Sequence, residues 1–215
     1  MSGPEPPRWS IVIPVKAASI GKSRLRIDGA DHERLARAIA LDTIHAAARC
    51  AAVTGIRVVT ADAALRRELD GIRGVTVVAD SGEGLNAALR TGLAAAGERT
   101  DRAVLLGDLP ALQTVELEVA LGAAAGFERA FVPDADLTGT VLATARRGVE
   151  LTPLFGPRSA DAHRRAGFVP VAMPARSGLR RDVDLAAHLR AVRRLGPRTR
   201  AALPAGARAA SQASA

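Results

Sequence analysis

Along the first half of the chain, short apolar runs rich in β-branched residues alternate with stretches whose apolar residues recur at helical spacing. WSIVIPVK (9–16) precedes DHERLARAIALDTIHAAARC (31–50), GIRVVTAD (55–62) precedes DAALRREL (62–69), and VTVVAD (75–80) precedes GLNAALRTGLAAAG (84–97). RAVLLGD (102–108) and TVELEVALGAAAG (114–126) continue the pattern. Successive βα units bury both surfaces of their strands by forming a mostly parallel sheet with helices on its two faces. After residue 126 the rhythm changes. RAFVPDADLTGTVLATA (129–145) reads as two short strands around a turn, PRSADAHRRAG (157–167) as a short helix, FVPVAMP (168–174) as a strand and VDLAAHLRAVRRLG (183–196) as a final amphipathic helix.

A chain of 215 residues suits one domain with an adequate core. We expect that domain over 9–203, between a flexible start (1–8) and a disordered Ala/Ser-rich tail (204–215), with no internal repeat or linker. No apolar run approaches the length of a membrane span. The opening MSGPEPPRW has neither the basic nor the apolar region of a secretory signal, so the expected location is cytoplasmic. Cys50 is the sole cysteine, which rules out a disulfide within the chain and any cysteine-based metal cluster.

The net charge of +8 invites nucleic acid, acidic membrane lipid or a phosphorylated small molecule as partner. The basic residues are spread along helix-like segments, however, and four Phe, one Trp and no Tyr make a poor base-stacking surface, so nucleic acid is not expected. Only Lys16 and Lys22 among the 30 basic residues are lysines; an ammonium is a compact point charge, unlike the guanidinium fork.

In an open α/β sheet, ligands sit beyond the carboxyl ends of the strands. The loop PVKAASIGKSRLR (14–26) presents Lys16, Lys22, Ser23 and Arg24 there. It lacks the glycine five residues before Gly21 that a P-loop needs, but its cations and hydroxyl suit a triphosphate; a solvated basic loop is the alternative. In DSGEGLNAAL (80–89), Gly84 permits close backbone approach and Asn86 carries the donors and acceptor to read a base edge, although a glycine-rich turn into a helix needs no ligand. In LLGDLPAL (105–112), Asp108 stands at a strand's carboxyl end, fit either to bind a hard cation or to cap a helix. In SGLRRDVDL (177–185), an extended backbone puts Asp182 and Asp184 on one side, a costly pairing of like charges without a cation between them. Arg180 and Arg181 are placed to offset that charge or to meet a phosphorylated substrate, and helix capping again competes for the last Asp. His32, His45, His163 and His188 all fall in helix-like segments and read as helix-surface residues; no nucleophilic triad emerges.

Taken in order, PVK with KSRL, LNAAL, GDLPAL, TGT, FGPRSADAHRRAG and GLRRDVD resemble the guanylyltransferases that act on 2-phospho-L-lactate or phosphoenolpyruvate in assembly of the deazaflavin coenzyme F-420. The resemblance runs from about residue 9 to about residue 200, and the pairing of FGPxS with GLRxDVD is its narrowest part. It implies a single-domain α/β fold of the nucleotidyltransferase type, Rossmann-like and GT-A-like, with a mostly parallel twisted sheet. It further implies that Asp108, Asp182 and Asp184 hold Mg2+, two ions in all. Thr140, Gly156 and Ser159 would hold the phosphate and carboxylate of a small phosphorylated acid. Lys16, Lys22, Ser23, Arg24, Gly84 and Asn86 would lie against GTP. Two departures stand out: Leu137 replaces the first glycine of a GTGT stretch, and Ser177 replaces the proline before Gly178. The arginine- and alanine-rich composition leans toward phosphoenolpyruvate over 2-phospho-L-lactate or 3-phosphoglycerate, and oligomeric state is left open. Two rivals are a relative that loads a sugar phosphate or molybdopterin, which has no use for FGPxS beside GLRRDVD, and a non-catalytic nucleotide- or RNA-binding protein.

Overall fold

The computed structural model describes residues 8–18, 25, 27–192, 194–205 and 207. The expected flexible start and tail lie almost wholly outside the described residues, as do Lys22, Ser23 and Arg24.

The alternation read from the sequence is realised. β1 (Trp9–Pro14), α1 (His32–Ala48), β2 (Val53–Thr60), α2 (Ala63–Leu69), β3 (Val75–Ala79), α3 (Leu85–Ala96), β4 (Asp101–Leu105) and α4 (Thr114–Ala124) follow in order. Their caps are local. Asp31 accepts the Arg34 N–H at the start of α1 at 3.0 Å, and Asp62 accepts those of Ala64 and Leu65 at 2.9 and 3.0 Å. Glu116 reaches back to the Gln113 N–H at 3.0 Å ahead of α4.

β5 (Arg129–Pro133) and β6 (Thr140–Ala145) form the expected pair of strands around a turn, followed by α5 (Ser159–Arg165) and β7 (Val169–Pro170). A 3-10 turn over Gly178–Arg180, then α6 (Ala186–Ala191) and α7 (Pro197–Ala202), complete the chain. The seven strands lie in the order β3-β2-β1-β4-β6-β5-β7. β6 runs antiparallel to both β4 and β5; the other pairings are parallel.

Two expectations need correction. The strand expected over 168–174 pairs with β5 only at Val169 and Pro170. Val171 still donates to the Phe131 carbonyl, but prolines at 170 and 174 carry no N–H to extend the ladder. Of the final helix expected over 183–196 only α6 forms, and α7 follows beyond that range. The chain leaves α6 at Val192, buries Val192 and Leu195 against Leu35 and Ile39 of α1, and restarts at Gly196-Pro197. Asp42 of α1 caps the restart, accepting the N–H groups of Arg198 and Thr199 at 3.2 and 2.7 Å.

Alternate residues of β1 feed two cores. Ile11 and Ile13 pack with Ile44 of α1 and Leu117 and Leu121 of α4, whereas Val12 packs with Leu89 and Leu93 of α3. α3 lies so close that a Cβ on Gly92 would overlap Val12 and stand 2.7 Å from Val59 Cγ2. Strand order reverses between β1 and β4, the switch point at which such sheets open a crevice beyond their carboxyl ends.

Candidate active site

A cleft of about 490 Å³ occupies that crevice. Pro14 to Lys16 leave β1 on one side of it and Leu106 to Asp108 leave β4 on another. The β5–β6 turn, the 155–159 loop, Asp182, Asp184, Ala36, Ile39 and Ala40 of α1 and Leu85 of α3 close the rest.

Asp108 and the 182/184 pair, 74 residues or more apart in sequence, meet because their backbones are tied together. The Val183 N–H donates to the Asp108 carbonyl at 3.1 Å, and the Val183 side chain is fully buried beneath. The i, i+2 spacing then turns Asp182 and Asp184 the other way, to the cleft. Gly178 rests on the backbone of Ala111, so closely that a Cβ there would overlap the Ala111 carbonyl. Its N–H donates to Glu116 Oε1 at 2.9 Å, the same carboxylate whose other oxygen caps α4. GDLPAL and GLRRDVD are therefore two halves of one packed unit. Neither aspartate is itself an N-cap residue: that of α4 is Gln113 and that of α6 is Leu185.

Thr140, Gly156 and Ser159 line the same cleft from the facing wall. Asp134, also on the lining, pins the β5–β6 turn by accepting the N–H groups of Thr138 and Gly139 at 2.9 and 2.8 Å. The Ala160 N–H donates to the Thr138 carbonyl at 3.0 Å and joins that turn to α5. Arg158 takes a left-handed backbone (φ 56) beside Gly156 (φ 136), and its guanidinium rests 2.9 Å from Asp161. The Arg158 hydrogen bond is the largest influence in holding the Asp161 carboxyl below its ordinary range.

Lys16 lines the cleft and is exposed. Asp62 anchors the chain just beyond it, accepting the Ala18 N–H at 3.1 Å with Arg37 3.7 Å away. Burial pushes the Asp62 carboxyl up, but the amides of Leu65, Ala18 and Ala64 and the Arg37 charge outweigh it, leaving the group below its ordinary value.

Three side chains do something other than expected. Asn86 does not turn its amide outward to read a base: Oδ1 accepts the Phe155 N–H at 3.0 Å and Nδ2 donates to the Phe155 carbonyl at 2.9 Å, so it sets the 155–159 loop. Gly84 opens α3 with φ 95, and neither it nor Asn86 is among the described residues on the cleft. Arg180 meets no substrate space. It is buried and donates to the carbonyls of Pro133, Asp134, Ala135 and Met173 at 2.7 to 3.4 Å, clamping the β5–β6 turn to the RRDVD segment. His163 is not a helix-surface residue: it is fully buried among Phe131, Phe155 and Phe168.

Sequence reasoning passed over Asp134 and Glu116 and put His163 on a helix surface. Asp134 closes a turn wider than the two-residue reach of an Asx turn, accepting from residues four and five on. Glu116 stands three residues after Gln113, the spacing of a capping box. Nothing local marks His163.

A switch-point cleft with carboxylates at the ends of an α/β sheet defines a domain of the nucleotidyltransferase class. Solved structures share the architecture. A nucleotidyl transferase from Methanothermobacter thermautotroptrophicus superposes with a TM-score of 0.58 at 19% identity, over 85% of this chain and 94% of that one. A 4-diphosphocytidyl-2C-methyl-D-erythritol synthase gives 0.57 at 16% identity, over 84% and 94%. A Mycobacterium tuberculosis protein in complex with manganese gives 0.54 at 19%, over 86% and 97%. The chain belongs to the CofC-like guanylyl transferase family, whose model matches residues 9–152. Relatives named phosphoenolpyruvate guanylyltransferase include one from Streptomyces scabiei, 46% identical over 206 residues (91% of this chain, 95% of the relative), and one from Geodermatophilus obscurus, 44% identical over 209 residues (93% and 96%).

Proposed function

We propose that this chain transfers GMP from GTP to the phosphate of phosphoenolpyruvate, releasing pyrophosphate, as a step toward coenzyme F-420. The observation that carries the reading is the meeting of Asp108, Asp182 and Asp184 with Thr140, Gly156 and Ser159 around one cleft. The substrate choice draws on the relatives with that name.

A phosphate monoester has its second pKa near 6 and is mostly dianionic at neutral pH, so attack on the α-phosphorus of GTP needs no general base. That accords with a cleft whose lining contains no histidine or cysteine among the described residues. The obstacle is repulsion between two anions. Thr140 and Ser159 offer hydroxyl donors to the acid, and Lys16 offers a cation to the nucleotide.

The donor set suits magnesium: four aspartates line the cleft, and with Asp134 engaged by the Thr138 and Gly139 amides, Asp108, Asp182 and Asp184 are the candidate hard oxygen ligands. Among the described residues no three such groups form a ready-made cage. Magnesium fits that arrangement, because it keeps several waters and shares its sphere with substrate phosphates. Asp108, Asp182 and Asp184 would hold the ions, which supply charge neutralisation at the reacting and leaving phosphates.

The test is purified protein with magnesium, GTP and, in turn, phosphoenolpyruvate, 2-phospho-L-lactate and 3-phosphoglycerate, with products weighed by mass spectrometry. Pyrophosphate with a guanosine-diphosphate-linked enolpyruvate is the expected result. Salt-sensitive RNA binding without pyrophosphate release would overturn it.

A further inference from the structure

We infer that His163 is a positioning residue for the acid-binding wall: its Nδ1–H makes Thr140 Oγ1 an acceptor and thereby directs the Thr140 hydroxyl proton into the cleft, toward an anionic oxygen. The inference rests on the reading of the cleft given above.

His163 lies one helical turn after Ser159. Its Nδ1 stands 2.8 Å from the Ser159 carbonyl and 3.0 Å from Thr140 Oγ1. A carbonyl oxygen only accepts, so Nδ1 carries the proton and shares it with the threonine oxygen. Thr140 cannot donate back into that nitrogen, and its own proton must point elsewhere. Phosphate and carboxylate oxygens are acceptors only, so a threonine whose hydroxyl is held in the donating sense is set for either. The opposite tautomer would draw the threonine proton toward the ring and turn a lone pair to the substrate.

The surroundings hold this choice. Phe155 and Phe168 meet the imidazole edge-on with centroids 5.2 and 4.9 Å away, and Phe131 stacks on it at 5.7 Å. Burial in this cage, the largest influence, pushes the imidazole pKa down, which keeps the ring neutral. Nε2 is buried and has no hydrogen-bond partner among the described residues. A phenylalanine or leucine would fill the space without that orphaned atom, so packing alone gives no reason for an imidazole here.

The test is steady-state pyrophosphate release by the wild-type chain and the H163N, H163Q, H163L, T140V and H163L/T140V variants, varying phosphoenolpyruvate and GTP separately. Asparagine returns an N–H near the Nδ1 position; glutamine reaches the Nε2 position and does not. H163L and H163Q should raise the KM for the acid about tenfold and leave that for GTP within about twofold, as expected for loss of one oriented donor to an anion. H163N should stay within about threefold of wild type. H163L should add nothing further in the T140V background, because both act through one hydroxyl. Equal acid KM values for H163N and H163Q would overturn the inference even if H163L fails to fold, as would effects of H163L and T140V that multiply. A wild-type chain inactive with every acid would sink the cleft reading and this inference with it; an active wild type with indifferent variants sinks the inference alone.

Discussion

Residues 9–124 and residues 129–203 are built by different means. In the first region each helix is capped by a side chain or glycine adjacent to it in sequence, and each of its strands pairs in parallel with a neighbour from the same region. In the second, short elements are held by side chains reaching across the fold: Arg180 to carbonyls 45 to 47 residues away, Asn86 to Phe155 69 residues away, and Asp42 to Thr199 157 residues away. The first region supplies a platform with Lys16 and Asp108 at its rim. The second brings Thr140, Gly156, Ser159 and two more carboxylates over that platform. The two meet at a seam, where the Val183 N–H reaches the Asp108 carbonyl and Gly178 rests on Ala111.

The seam can be broken chemically or sterically. Asp108→Asn keeps the shape of the side chain and removes its charge; turnover should fall by at least about a hundredfold with the melting temperature nearly unchanged, read by pyrophosphate release and calorimetry. Gly178→Ala drives a Cβ into the Ala111 carbonyl. It should cost about 1–3 kcal/mol in stability and, unlike Asp108→Asn, lower activity and melting temperature together.

Substitutions away from the seam sharpen the contrast. Gly92→Ala overpacks the first region between Val12 and Val59, so it should cost a similar 1–3 kcal/mol, to order of magnitude, while leaving kcat within about twofold. Asp62→Asn keeps the helix cap but loses the carboxylate that meets Ala18 and Arg37, on the order of 1 kcal/mol at neutral pH. Because the folded state lowers the Asp62 pKa, this contribution is present above the ordinary carboxylate range and is lost as pH falls through the folded value. Melting curves of the two proteins should therefore converge on acidification. Leu137, exposed on the β5–β6 turn with φ 64, occupies a backbone conformation that costs an L-residue about 1–2 kcal/mol. Leu137→Gly should recover part of that, seen as a small rise in melting temperature, without moving the KM for either substrate.

The first region was legible because its signals are local. Strand and helix periods and caps such as Asp31 and Asp62 lie within a few residues of what they control. The carboxylates at 108, 182 and 184 were legible as motifs and residues 140, 156 and 159 through the family resemblance, and all of them line the cleft. The two-helix ending was not, since helical periodicity continues through Val192 while burial of Val192 and Leu195 against α1 decides where the chain turns.

From sequence alone came the alternating α/β layout, the crevice end of the sheet and the residue types brought to it. Tertiary structure alone assigned Arg180 to clamping a turn, Asn86 to holding a loop and His163 to a buried bridge between Thr140 and Ser159. The physical reason is that a polar side chain's role follows from the partner that desolvates and satisfies it. For these three, at least one partner lies more than 20 residues away, beyond the reach of any local pattern.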